Sequence, residues 1–201
     1  MTLWLRARRA WLLAGALLLQ FTLSCLLGGV LVPSPSLAAH ATLDIPLRVF
    51  LPLILSCALV HALSDVIQLE RGATRNTAVA DGLLVAAVAA SAVLLGLVAA
   101  ALGSGDALVA ARNTIGYVGF ATAGAVVLGP PIGAMLPVAH VILVALLDSG
   151  RTHIALLAWP VEPLSSGVAA LAAVSFCATG VLATARLGGV QISALDARGR
   201  R

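Results

Sequence analysis

The stretch GLLVAAVAASAVLLGLVAAAL, Gly82–Leu102, holds twenty-one consecutive residues without a charge, and it decides the solvent of this chain. At a rise of about 1.5 Å per residue it is long enough, as a helix, to cross a hydrocarbon layer roughly 30 Å thick. Its neighbours read the same way. Trp11–Val32 and Leu47–Ile67 are comparable apolar runs, and Leu164–Ala185 is another near the C-terminus. The whole chain is 61% hydrophobic and only 10% charged over 201 residues. A soluble domain needs a polar exterior, and too few polar residues are present to make one.

A further apolar region, Asn113–Leu147, is interrupted by Gly129-Pro130-Pro131. A glycine followed by two prolines suits a helix C-terminus, a sharp turn and the first turn of the next helix. The region therefore divides into Asn113–Leu128 and Ile132–Leu147, with one broken or re-entrant hairpin as the alternative. The expected fold is an all-α, polytopic membrane bundle of about six transmembrane helices: 11–32, 47–67, 82–102, 113–128, 132–147 and 164–185. Residues 1–10 form a basic lead, 11–186 the transmembrane domain and 187–201 a polar cytoplasmic tail.

Arginine sets the orientation, for the chain has no lysine. Arg6, Arg8, Arg9, Arg71, Arg75, Arg186, Arg198, Arg200 and Arg201 fall on one side of this plan; Arg48, Arg112 and Arg151 fall on the other. Nine against three places both termini in the cytoplasm. The pI near 9.8 reports this topology. It is no sign of nucleic-acid binding, because the basic residues are divided among separate cytoplasmic ends. Arg8-Arg9 before an apolar run superficially fits an export signal, but a run of about 22 residues exceeds the usual signal core of about 7–15. Cys25, Cys57 and Cys177 sit in three different spans without CxxC spacing and read as small packing residues.

The connecting segments carry their own expectations. Met1–Ala10, with Leu3, Trp4 and Leu5, reads either as an interfacial segment facing anionic lipid or as a frayed basic stop. Gln68–Asp81 is the longest polar cytoplasmic stretch before the tail. Gly103–Ala111 reads as a small external turn. Asp81 and Asn113 or Thr114 stand where they cap the starts of spans three and four. In Ser149–Pro163, Trp159-Pro160 ends a short apolar patch, read either as a membrane-edge anchor or as a re-entrant element. Gly116, Gly119, Gly124 and Gly180 give spans four and six small faces for close helix packing.

Ionisable groups inside a membrane carry a functional hypothesis by default. His61 and Asp65 lie one helical turn apart in span two, and His140 follows Pro137 in span five. A proton or metal pathway through these three is one reading; interhelical hydrogen bonding by the histidines is the other. No GxSxG, HExxH or paired intramembrane aspartates occur. A phosphate-binding loop needs a lysine the chain does not have. Neither a catalytic site nor a cofactor or metal site is expected, and any energy from ATP has to come from a partner.

The six-helix plan, the basic lead, the polar loop between spans two and three, and the apolar segment before span six resemble a membrane subunit of the type-2 ABC exporters. ARNTIGYVGFATAGAVVLGPPIGAMLPVAHVILVALL (Ala111–Leu147), with Ala158-Trp159-Pro160 after it, resembles small permease-like proteins of GC-rich bacteria. The resemblance implies a multi-pass protein of the bacterial cytoplasmic membrane. It further implies a second permease subunit, identical or sister, and two cytosolic ATPase subunits that dock on the loop between spans two and three. By position, Glu70, Arg71, Arg75 and Asn76 form that docking surface. A proton- or metal-coupled carrier using His61, Asp65 and His140, and a non-transporting scaffold or immunity protein, are the competing expectations.

Overall fold

The computed structural model describes residues 2–35, 42–64, 77–147 and 157–187. Within them the chain runs α1 (Thr2–Ala7), α2 (Ala10–Leu27), β1 (Leu31–Pro35), β2 (Thr42–Pro46), a 3₁₀ turn at Leu47–Val49, α3 (Leu51–Ser64), α4 (Ala78–Ala101), α5 (Gly105–Leu128), α6 (Pro130–Leu147) and α7 (Gly167–Leu187). The fold is a helical bundle of the kind membrane proteins form. Four segments are long and apolar enough to cross a bilayer: Ala10–Leu27, Leu47–Ser64, Ala78–Ala101 and Gly167–Leu187. Their outer faces carry Leu26, Leu83, Leu94 and Leu171, each more than 60% exposed. Apolar side chains spread so widely over the surface call for lipid as their solvent.

Local chemistry moves several boundaries from their expected places. The first span stops at Leu27, because Gly28-Gly29 ends the helix and the apolar sequence continues as an antiparallel ribbon. That ribbon pairs Leu31 with Pro46 and Val32 with Ile45. The third span, α4, begins at Ala78, with Thr77 at its N-cap position, so Asp81 lies inside the first turn and does not cap it. The fourth begins at Gly105, eight residues before the expected start. The expected external turn at Gly103–Ala111 shrinks accordingly to Leu102–Ser104, with Gly103 at φ 99°. Neither Asn113 nor Thr114 is a cap, since both stand in mid-helix. At the far end of α5 the chain breaks at Gly129, φ 94°, and α6 starts at once with Pro130 and Pro131. Prolines lose nothing in a first turn, whose amides have no helical partner. The helix then continues through Pro137.

The least apolar of the long helices, α5, is the centre of the bundle, and α2, α3, α4, α6 and α7 all contact it. Fourteen of its residues are buried, among them Arg112, Asn113, Thr114 and Tyr117. Its polar residues therefore face protein and its neighbours face outward, which is how a bundle keeps polar groups out of lipid. Glycines permit the close approach. A Cβ on Gly96 of α4 would overlap Ala111, one on Gly133 of α6 would overlap the Ala125 backbone, and one on Gly119 would overlap the α7 backbone at Phe176–Cys177. Two apolar clusters flank α5. One joins α2, α3 and α4 through Leu17, Phe21, Leu59, Val85 and Val118; the other joins α3, α6 and α7 through Val49, Tyr117, Val141, Trp159 and Ala173.

Ion pairs among the described residues tie opposite ends of the bundle. At the end carrying α1, the buried Arg8 guanidinium donates to an Asp81 carboxylate oxygen at 2.6 Å and to the Leu63 carbonyl. Of the two expectations for the basic lead, a frayed stop does not describe Arg8. Arg9, at φ 50° and ψ 38°, breaks the chain between α1 and α2 and lets Arg8 turn inward. At the other end Arg48 pairs with Asp106, joining the 3₁₀ turn to the start of α5.

Candidate functional site

Along α5, Arg112 and Gly116 are one turn apart and lie on the same face. That face receives the segment Leu157–Ser166, which precedes α7 and runs in turns. The Arg112 guanidinium donates to the carbonyl oxygens of Glu162 (2.7 Å), Pro163 (2.9 Å) and Trp159 (3.0 Å). The Asn113 amide donates to the Pro160 carbonyl at 2.8 Å. Four backbone acceptors of a non-helical segment thus find donors on two adjacent α5 residues. Irregular backbone at membrane depth needs this kind of internal satisfaction. Asn113→Ala leaves the Pro160 carbonyl without its donor. We expect it to lower stability by about 1–3 kcal/mol, measured by thermal unfolding in detergent.

Trp159 fills the centre of the site and is 1% exposed. Its ring packs against protein and does not face outward as a membrane-edge anchor would. Its indole lies directly over Gly116, where any Cβ would collide with the ring. The His140 imidazole stacks on it at 6.1 Å with an interplanar angle of 17°, and Tyr117 meets it tilted at 5.1 Å. Phe176 stands 6.1 Å away on α7, and Phe120 closes on both Phe176 and His140. Three polar atoms in this aromatic chamber, Tyr117 Oη, Trp159 Nε1 and His140 Nδ1, are buried without a hydrogen-bond partner. A buried polar atom left so costs about 1–3 kcal/mol, and such groups call for an explanation.

A second polar seam connects α2 to α5. Gln20 Nε2 donates to Thr114 Oγ1 at 2.6 Å, and the Thr114 hydroxyl donates to the Ala110 carbonyl at 2.7 Å. This seam replaces the expected cap role of Thr114 with an interhelical hydrogen bond.

The residues expected from sequence fall differently. His61 is exposed, in the last turn of α3. His140 is half-buried on α6 against Trp159. The antiparallel contact of Cys57 Sγ with the Ala134 carbonyl, 3.2 Å, fixes the register of α3 on α6. His61 lies four residues beyond that contact in one direction and His140 six in the other. They are therefore about 15 Å apart along the bundle. Asp65, Glu70, Arg71, Arg75 and Asn76 lie outside the described residues. Among the described residues no group of three or more metal-ligating side chains occurs. Sequence reading placed Arg112 on an external loop and gave no role to Tyr117. The missed signal was a charged residue one turn before a glycine and a tyrosine, in a stretch otherwise apolar enough to be membrane-embedded. The chain matches no protein-family model, no curated protein and no solved structure.

Proposed function

We propose that this protein is the membrane-spanning permease subunit of an ATP-driven, ABC-type exporter in the bacterial cytoplasmic membrane. In this reading α2–α7 cross the bilayer six times with both termini in the cytoplasm. Two permease subunits, identical or sister, line the pathway, and separate cytosolic ATPases drive it. The chain itself performs no bond chemistry and holds no cofactor.

One observation carries the reading. Arg8 bonds both to Leu63, in the last turn of α3, and to Asp81, in the first turn of α4. The chain between these two helices holds Glu70, Arg71, Arg75 and Asn76, the proposed docking surface. A push on that connection is passed through Arg8 to α1 and α2 as well, so the four helices α1–α4 respond as one body. Packed helices tend to shift as rigid units between discrete arrangements. ATP-driven closure of the docked ATPases would move this body against α5–α7 and alternate access.

The carrier reading needs His61, Asp65 and His140 to act at one site. The axial separation of the two histidines weighs against it. The scaffold reading has no specific observation in its favour.

The test is affinity isolation of the tagged protein from its native membrane in mild detergent, with the bound proteins identified by mass spectrometry. A stoichiometric ATPase is expected, and it should be lost when Arg71 and Arg75 are both changed to Glu. Recovery of the chain alone, or an ATPase indifferent to the charge reversal, sinks the proposal.

A further inference from the structure

The segment Leu157–Ser166 is held differently from everything around it. Helices α5, α6 and α7 satisfy their own backbones, but this segment depends on Arg112 and Asn113 for the carbonyls of Trp159, Pro160, Glu162 and Pro163. Its described backbone bonds within itself are few, Val161 N–H to Ala158 and Ser166 N–H to Pro163. Apart from Ser166, whose hydroxyl and carbonyl accept from Ala169 and Ala170 at the start of α7, it can therefore leave as a unit without unwinding a helix. Its departure would also relieve a cost, since Tyr117 Oη and Trp159 Nε1, both buried without partners, would gain water or a ligand.

What would be uncovered is a shaped chamber. Gly116 forms a flat floor, because only the missing Cβ lets a ring lie there. His140, Tyr117 and Phe176 form aromatic walls, and Arg112 stands at one end. Trp159 is the current occupant: a planar ring in the chamber, with its own carbonyl oxygen on the guanidinium. The segment meets the guanidinium with neutral carbonyls, weak counterparts by themselves, and holds the Glu162 carboxylate within electrostatic range of it, a charge that would leave with the segment. A carboxylate or sulfonate gives charge-assisted, bidentate bonds about twice as strong.

We propose that Leu157–Ser166 is a displaceable plug over a binding site for planar, apolar organic anions. The ligand's ring replaces the Trp159 indole over Gly116, and its acidic group replaces the three carbonyls on Arg112. The inference does not depend on an ATPase partner, because binding is an equilibrium property of this chain alone.

Ala158, beside Trp159 and 2% exposed, reports displacement. In a chain whose three native cysteines are changed to alanine, reconstituted in lipid nanodiscs, Ala158→Cys is titrated with a membrane-impermeant maleimide. Indole-3-acetate is the probe, the Trp159 ring joined to a carboxylate; indole-3-acetamide is its neutral counterpart. The expected result is slow labelling that indole-3-acetate accelerates about tenfold and the amide leaves nearly unchanged. Arg112→Gln should abolish the difference between the two probes. Labelling that stays absent until the protein unfolds, or that responds equally to both probes, overturns the proposal. Should Arg112→Gln fail to fold, Trp159→Ala supplies a second test. It empties the chamber and keeps Arg112, so equilibrium dialysis should show indole-3-acetate bound at least about fivefold more tightly than the amide. Equal binding, or none, overturns the proposal as well.

Discussion

Gly119→Leu is expected to prevent the protein from accumulating as a monodisperse species in detergent, and Gly119→Ala to lower its stability by about 3 kcal/mol or more. The reason is the crossing of α5 and α7. A Cβ at Gly119 would overlap the carbonyl group of Phe176 and the Cα of Cys177, and one at Gly180 would come within 2.6 Å of the Gly119 Cα. These neighbours are backbone atoms, and no rotamer change moves them aside. The two helices would have to separate, and with them the contacts among Tyr117, Phe176, Ala169 and Ala173 that the crossing holds together. Overpacking a well-fitted core usually costs about 1–3 kcal/mol, and a clash against backbone belongs at or above the top of that range. Without a hydrophobic driving force between helices in lipid, packing lost at this crossing is not recovered by burying the faces elsewhere. Gly15 is the matched control. It lies in the exposed face of α2 with nothing within 4 Å of the added methyl, so Gly15→Ala should stabilise α2 by roughly 0.5–1 kcal/mol. Opposite signs from one chemical change, read by thermal unfolding of the purified proteins, would establish that close approach is what α5 requires of its glycines.

How much of this was legible beforehand depends on the kind of signal. The membrane solvent followed from composition, and the break at Gly129-Pro130-Pro131 from turn chemistry acting within three residues. The small-residue faces were visible too, since glycine in a membrane helix has few uses besides close packing. The start of α5 was not legible. Arg112 and Asn113 look like a loop or a cap on any local scale, and only a segment about fifty residues later makes them interior residues of a helix. Trp159 left two readings open for the same reason: beside a proline after an apolar patch it reads as an anchor or as a re-entrant element, and its place is set by the missing side chain of Gly116. The β1–β2 ribbon continues the hydrophobicity of α2, so hydropathy alone runs the first span through to Val32. Local signals gave the elements, whereas the candidate site is made entirely of non-local pairs.

Arg8→Ala and Asp81→Asn should each destabilise the protein strongly, by about 3–5 kcal/mol, while the paired change Arg8→Met with Asp81→Leu should recover most of that loss. Arg8 is fully buried and the Asp81 side chain is 12% exposed, so this is not a screened surface pair. Removing one partner takes a charge-assisted hydrogen bond away from a group held where water hardly reaches it. Removing both exchanges the ion pair for apolar volume, which costs little and can stabilise. A double-mutant cycle on unfolding midpoints isolates the coupling; a double variant as unstable as the sum of the singles would show that the two groups act independently. The cycle also bears on function. A stable Arg8→Met/Asp81→Leu protein keeps its fold but loses the hydrogen bond from Arg8 to the Leu63 carbonyl, and with it the polar tie between α1 and the ends of α3 and α4. If that tie transmits force from a docked ATPase, the paired variant should still bind the ATPase through Arg71 and Arg75 yet export poorly. Full export by a variant with no Arg8 link would leave the ion pair a purely structural fastening and remove the observation on which the transport reading leans most.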